Sequence, residues 1–171
     1  METLKGIDII LLYRVLNKAK TEAAWKMAFQ TEHSNSMTRE ADSAATKDGN
    51  VQTLSPVAYD FSATSLIAQN DPHIDEMKHA LLDGEIVEIW EINKIEKGTG
   101  ENKEKYKATY YQGYVSEFTP TAKAEESVEL ELAFAINGVG QDGYASLTKE
   151  QLDVIQYAFA DTLKEQVPNN K

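Results

Sequence analysis

The residues of this chain that could do chemistry are few, and their spacings fail the tests each chemistry sets. Gly138-Val139-Gly140-Gln141-Asp142-Gly143 matches the glycine pattern of a dinucleotide site. Such a site also needs a helix opening at that turn, a return strand and an acidic residue about 20 positions on. The residues that follow are too few to build that unit, so a turn leaving a strand is expected. The same stretch imitates a calcium loop. With Gly143 at the sixth position, Gly138 and Gly140 stand where carboxylates belong, and Lys149 stands where the bidentate Glu belongs. Gly98-Thr99-Gly100 lacks the Gly-Lys-Ser/Thr end of a phosphate loop. His73 and His79 do not share the one-turn spacing of a helical metal pair, and with His33 they are read as surface residues. Glu125 and Glu126 read as solvated. No nucleophile sits in an elbow motif. The chain has 0 cysteines, which excludes disulfides, thiolate metal sites and cysteine catalysis, and fits a reducing cytoplasm. No cofactor, metal or catalytic group is expected.

The elements that carry these residues suit one soluble domain spanning residues 1–171, with a sizeable core. Twenty-eight acidic against 17 basic residues give a formal charge of −11. Affinity for DNA comes mainly from Lys and Arg neutralising phosphates, so a gripping nucleic-acid binder is disfavoured. On composition alone the charge serves solubility. Ile7, Ile9, Ile10, Leu11 and Leu12 form a run too short for a membrane span, ended by Arg14. It reads as a buried strand.

Alternation marks further strands. Trp25, Met27, Phe29 and Thr31 point to one buried face, and Tyr59, Phe61 and Ala63 to another. Residues 18–24 have helix propensity but are read as a loop or short turn. Residues 34–56 are polar, with a strong turn signal at Lys47-Asp48-Gly49-Asn50, and are read as a long loop or hairpin. Asp71 caps a helix that Pro72 begins and Gly84 closes, with Ile74, Met77 and Leu81 on its apolar face. Residues 85–93 form a strand, and residues 94–105 a charged, mobile loop. Tyr106 to Phe118 reads as an aromatic strand stopped by Pro120. In residues 128–136 the set Val128, Leu130, Leu132, Phe134 and Ile136 faces one way, and Glu129 and Glu131 face the other. A short helix starts at Thr148 with Gln151 completing a capping box, and its apolar face is Leu152, Ile155 and Phe159. Residues 1–6 and about 160–171 read as arms.

The strands with bulky residues on both faces are informative. Either the sheet covers itself, or a neighbouring subunit covers the second face.

The order of several short stretches resembles the major tail tube proteins of long, non-contractile-tailed bacteriophages. These stretches are Gly6-Ile7-Asp8-Ile9-Ile10-Leu11, Phe29-Gln30-Thr31-Glu32-His33 and Ala45-Thr46-Lys47-Asp48-Gly49. Ser62-Ala63-Thr64-Ser65, Val87-Glu88-Ile89-Trp90-Glu91-Ile92 and Gln112-Gly113-Tyr114 follow, then Ile136-Asn137-Gly138 through Gly140-Gln141-Asp142-Gly143-Tyr144. The resemblance implies a mainly β (α+β) fold of two packed antiparallel sheets, sandwich- or barrel-like, with a flanking helix and a short C-terminal helix. It implies homohexameric rings whose inner sheets join into one barrel, and rings stacked into a hollow tube that conducts viral DNA into the host. The loop Thr46, Lys47, Asp48, Gly49 and Asn50 would reach the next ring. The implied partners are the same chain, the tape-measure protein, the tail terminator and distal tail proteins, and DNA passing without specific binding. No membrane partner is implied. The implied place is the virion, after assembly in the host cytoplasm.

An acidic lumen suits that role, because repulsion screened over about 8 Å lets DNA slide without adhering. Glu129 and Glu131 are the first candidates for lumen carboxylates, and Glu88 and Glu91 the second. Two other readings compete. One is a monomeric β-sandwich adhesin or carbohydrate-binding module using exposed Tyr and Trp. The other is the tube subunit of a contractile injection or secretion machine.

Overall fold

The computed structural model describes residues 1–152. Its strands are β1 (Ile9–Val15), β2 (Gln30–Thr38), β3 (Ala41–Thr46), β4 (Gly49–Leu54), β5 (Ala58–Leu66), β6 (Ile86–Lys97), β7 (Tyr106–Thr121) and β8 (Glu129–Ala145). Helix α1 spans Pro72–Asp83, and a last turn, α2, spans Lys149–Leu152.

Two antiparallel sheets form, in keeping with the expected mainly β fold. One has six strands in the order β1-β6-β7-β8-β5-β2, and the other is the β3–β4 hairpin. The large sheet bends over itself, so that its β8-β5-β2 half faces its β1-β6-β7 half. Tyr13 of β1 stacks on Phe134 of β8 at 5.7 Å between ring centroids. Asn35 of β2 donates to the Tyr111 hydroxyl of β7 at 3.0 Å.

Between the halves lies the main core, with Leu11, Tyr13, Val87, Ile89, Phe61, Leu130, Leu132 and Phe134 buried in it. Each such large side chain contributes about 1.5–3 kcal/mol by leaving water. Helix α1 closes this core with Met77 and Ala80, while Ile74 and Leu81 pack at its margin. Its boundaries follow the expected local chemistry. Asp71 accepts from the His73 backbone N–H at 3.0 Å, Pro72 occupies the first turn, and Gly84 takes φ 67°.

The second face of β1, β6 and the first half of β7 is covered within the chain. Ile10, Leu12, Ile92, Tyr106 and Ala108 are buried there, with Leu147 and Leu152 packed over them. Thr148 and Gln151 form the expected reciprocal capping box, at 2.9 and 3.3 Å. Ile155, Phe159 and the arm at about 160–171 lie outside the described residues.

Three local expectations are corrected. Residues 25–29 are not strand. Tyr13 and Trp25 form an isolated bridge, and Trp25 and Met27 are buried, but Phe29 is 52% exposed. Phe29 has φ 53°, a left-handed conformation that turns the chain and breaks the burial alternation. Of residues 34–56, read as a long loop or hairpin, the hairpin forms as β3–β4, but residues 34–38 belong to β2. Pro120 does not stop β7, which continues to Thr121 with Pro120 opposite Leu130. Bulges near Tyr110/Gln112 and Val115/Glu117 shift which residues of β7 face inward and bring Phe118 opposite Leu132, against the main core.

Candidate assembly surfaces

The glycine motif makes no ligand loop. Gly138 takes φ 65° inside β8, where the strand departs from its β7 register, and β8 continues to Ala145. Gly140 passes against the Tyr111 ring and donates its N–H to the Tyr59 hydroxyl at 2.9 Å. The motif is therefore a bulge packed on two tyrosines, and not a turn leaving the strand. The described residues contain no group of three or more His, Asp or Glu side chains placed to hold a metal ion.

Two histidines read as surface residues make specific contacts. His33 lies 2.9 Å from Glu91, linking the facing halves of the sheet. His73 stacks on Trp25 at 4.0 Å with an interplanar angle of 6°. His79 is exposed. Sequence spacing could not reveal the first two contacts, because their partners are far away along the chain.

The four carboxylates singled out from the sequence part company. Glu129 and Glu131 are exposed on the convex face of β8, opposite buried Leu130 and Leu132. Glu88 lies on the same face of the sheet but is only 4% exposed. Its oxygens accept from Arg14 Nε and Nη2 and from the Tyr110 hydroxyl, the last at 2.6 Å. That bond to Glu88 is the main force holding the Arg14 guanidinium above its ordinary pKa. Glu91 points to the concave side, toward His33. Glu88 is thus neutralised within the chain, and Glu91 faces away from the Glu129 and Glu131 surface. Neither is kept as a lining carboxylate.

The convex face around Glu129 and Glu131 is a four-stranded patch. Thr119, Glu131, Thr64 and Glu32 are paired across β7, β8, β5 and β2. Glu117, Ala133, Ser62 and Ser34 form the next such row. These two rows hold small, hydroxyl and acidic side chains, with no Lys, Arg or large apolar group, while in the row of Glu129 the neighbours are Thr121 and Leu66. Among the described residues neither border pairs with a further strand, and only the start of β2 is engaged, through the Gln30 side chain on Leu11. β2 pairs only with β5, and residues 115–121 of β7 pair only with β8, because the β6 pairing ends at Tyr114. Pro120 is tolerated at such an edge because no ladder N–H is required of it.

The β3–β4 hairpin prolongs the β2–β5 ribbon. Glu40 and Ser55 join the two parts through Ser55 N–H to the Glu40 carbonyl at 2.8 Å. Every residue of both hairpin strands is exposed, including Val51 and Leu54. At its tip the Thr46 hydroxyl donates to the Gly49 carbonyl at 2.6 Å and accepts from the Asp48 N–H at 3.3 Å. Thr46, Lys47, Asp48, Gly49 and Asn50 are thus gathered in one ordered turn.

A bent antiparallel sheet with an open-edged polar patch and a projecting ribbon defines a class of self-associating structural subunit. The chain belongs to the phage tail tube protein family, whose model matches residues 3–142. A curated relative from Staphylococcus phage phiMR25, carried under a tail-protein name, is 32% identical over 160 residues, covering 92% of this chain and 82% of that one. Among solved structures, the SPP1 tail tube shares the fold with a TM-score of 0.77 at 18% identity, covering 92% of this chain and 91% of that chain. A chain of the native gene transfer agent virion matches with a TM-score of 0.60 at 14% identity, covering 82% and 99%. The chain is a structural component of a phage tail tube and hence of the virion.

Proposed function

We propose that six copies of this chain close a ring, that rings stack head to tail into a hollow tube, and that the tube conducts viral DNA. The role is structural and not catalytic. The observation that carries this reading is the four-stranded patch with two open borders. Its strands alternate in direction, so β2 of one copy set beside residues 115–119 of β7 in the next, short of Pro120, continues the antiparallel order. Repeated around an axis, that contact removes every open edge of the patch. A gene transfer agent tail refined with C6 symmetry contains a chain of the same fold (TM-score 0.60, 14% identity), which supports a six-fold ring.

In such a ring the convex rows line the lumen. Glu129 and Glu131, joined by Glu32 and Glu117, would repel a duplex carrying one charge per roughly 1.7 Å of axis. The Thr46–Asn50 tip would reach the next ring. The tape-measure protein would occupy the lumen before DNA, the terminator and distal tail proteins would cap the ends, and assembly would take place in the host cytoplasm.

Negative-stain microscopy of the purified chain tests assembly: tubes of uniform width are expected on concentration. A monodisperse monomer at every concentration, with measurable glycan binding, would favour a binding module instead. For the lumen, tubes carrying both Glu129→Lys and Glu131→Lys should form normally yet protect DNA from nuclease. Tubes that form and protect none would place these residues elsewhere.

A further inference from the structure

We infer that the seam between neighbouring copies is staggered: Ser36 of β2 lies opposite Thr119 of the next copy's β7, and Thr38 opposite its Glu117. The inference rests on the ring reading above and adds the register of the contact.

Backbone phase restricts that register. The Ile67 N–H donates to the Val128 carbonyl at 2.8 Å, which makes pairs such as Ala63–Leu132 the bonded ones between β5 and β8. Bonding direction alternates along a strand, so Ser62 and Thr64 bond toward β2, and Glu131 and Ala133 toward β7. The free backbone groups of the β2 border therefore belong to His33, Asn35 and Met37, and Phe118 offers both of its groups on the β7 border. By the same alternation Glu32, Ser34, Ser36 and Thr38 share the convex face, as do Glu117 and Thr119. The patch has an even number of strands, so bonded and non-bonded steps continue in turn across the seam. Convex residues then meet convex residues, and the register can shift only two residues at a time.

Barrel geometry selects the shift. With Glu32 opposite Thr119, each row would close on itself and the strands would stand parallel to the tube axis. A closed sheet instead tilts its strands by about 35–45°. One copy spans four strand spacings, about 19 Å, so a stagger of about four residues, roughly 13 Å, tilts the strands by about 35°. A stagger of about two residues reaches only about 20°.

The hand of the sheet gives the direction. Core-facing Leu132 bonds toward β5, which places β7, β8, β5 and β2 from left to right when the core side is viewed with β8 upward. With the convex face turned to the lumen, that view is from outside the tube. The fixed hand of strand twist makes barrel strands rise to the right in this view, so rows descend to the right. β7 runs downward, and a row leaving at Glu32 therefore reaches the next copy beyond Thr119. The opposite shift would bring Glu32 against Glu117, a like-charge pair that destabilises a ladder.

The strand ends agree. In this register β2 ends at Glu117, short of Tyr114, where Ile86 already occupies the place beside β7. Gln30, held on Leu11, falls past the end of β7 at Thr121. An unstaggered seam would drive the end of β2 into Ile86. Phe118, between the two pairs, exchanges both backbone bonds with Met37.

The absence of cysteine gives a clean test. Within one chain β2 and β7 stand three strand spacings apart, about 14 Å, too far for a disulfide. Full-length Ser36→Cys/Thr119→Cys protein, melting like the parent, is assembled and gently oxidised. Linked species up to the hexamer are expected. They should exceed those from Ser34→Cys/Thr119→Cys and Glu32→Cys/Thr119→Cys by about tenfold or more, since those pairs would sit beyond the roughly 7 Å Cα limit. Tubes in which one of these other pairs links instead would overturn the stagger and leave the β2–β7 seam standing. Tubes in which no pair links would overturn the seam itself. No tubes from the unaltered chain would overturn the stacked rings and the stagger with them.

Discussion

Gln30 holds Leu11 by both of its backbone groups. The Gln30 side-chain oxygen accepts from the Leu11 N–H at 3.1 Å, and its amide nitrogen donates to the Leu11 carbonyl at 2.6 Å. One side chain thereby acts as a strand residue, joining the open borders of β1 and β2 where the bent sheet meets itself. Gln30→Leu should leave a part-buried donor and acceptor without partners and cost about 1–3 kcal/mol. Urea unfolding would measure it. Gln30→Glu should recover only part, since a carboxylate accepts from the N–H but cannot donate to the carbonyl.

The Arg14–Glu88 pair predicts asymmetry. Arg14→Met strands the Glu88 carboxylate, which keeps 5% of its side-chain surface in water, and should cost about 3 kcal/mol. That is the lower end for a buried pair, because Arg14 retains 20% of its own surface. Adding Glu88→Leu should restore much of the loss. A double variant as unstable as the single would mean that the Arg14 guanidinium over the Trp90 ring, with Cζ 5.1 Å from the centroid, carries the stability instead.

Gly113 marks a point of backbone contact. A Cβ added there would collide with the carbonyl of Ala135 on the neighbouring strand. The obstacle is main chain, so no rotamer change relieves it. Gly113→Ala should destabilise by about 3 kcal/mol or more and disturb the β7–β8 register. A thermal shift of less than a few degrees would show that β7 can slide locally at little cost.

Alkaline pH should weaken the fold. Burial raises the Tyr13 phenol far above its ordinary value of 10.0, and burial also raises Tyr110 and Tyr111. Above about pH 10 the unfolded chain releases phenolic protons that the folded chain retains, so stability is full below that pH and falls as pH rises past it. Urea midpoints between about pH 8 and 11, with tyrosinate absorbance followed in parallel, should show Tyr13 ionising only as the chain unfolds. An unchanged alkaline slope in Tyr13→Phe would remove Tyr13 from this account.

Much of the architecture was legible in local pattern. The α1 boundaries follow from Asp71, Pro72 and Gly84, whose effects act within a turn. The strict alternation from Leu130 to Phe134 placed Glu129 and Glu131 opposite the core, because a strand sends successive side chains to opposite faces. The tip Thr46–Asn50 was marked by its turn residues.

Other features depended on distance through space. Glu88 and Glu129 look alike along the chain. Whether each faces solvent was decided by Arg14 and Tyr110, which arrive from β1 and β7. Glu91 was turned away by the parity of β6 and met there by His33. Phe29 broke an alternation that its own type supports, and Pro120 extended a strand it was expected to end, because only an edge tolerates it. Local propensity and periodicity determined which segments are strands or helix and which face of β8 is acidic. Tertiary structure alone decided which charges are neutralised and which borders stay open, since each depends on groups brought together from remote parts of the chain.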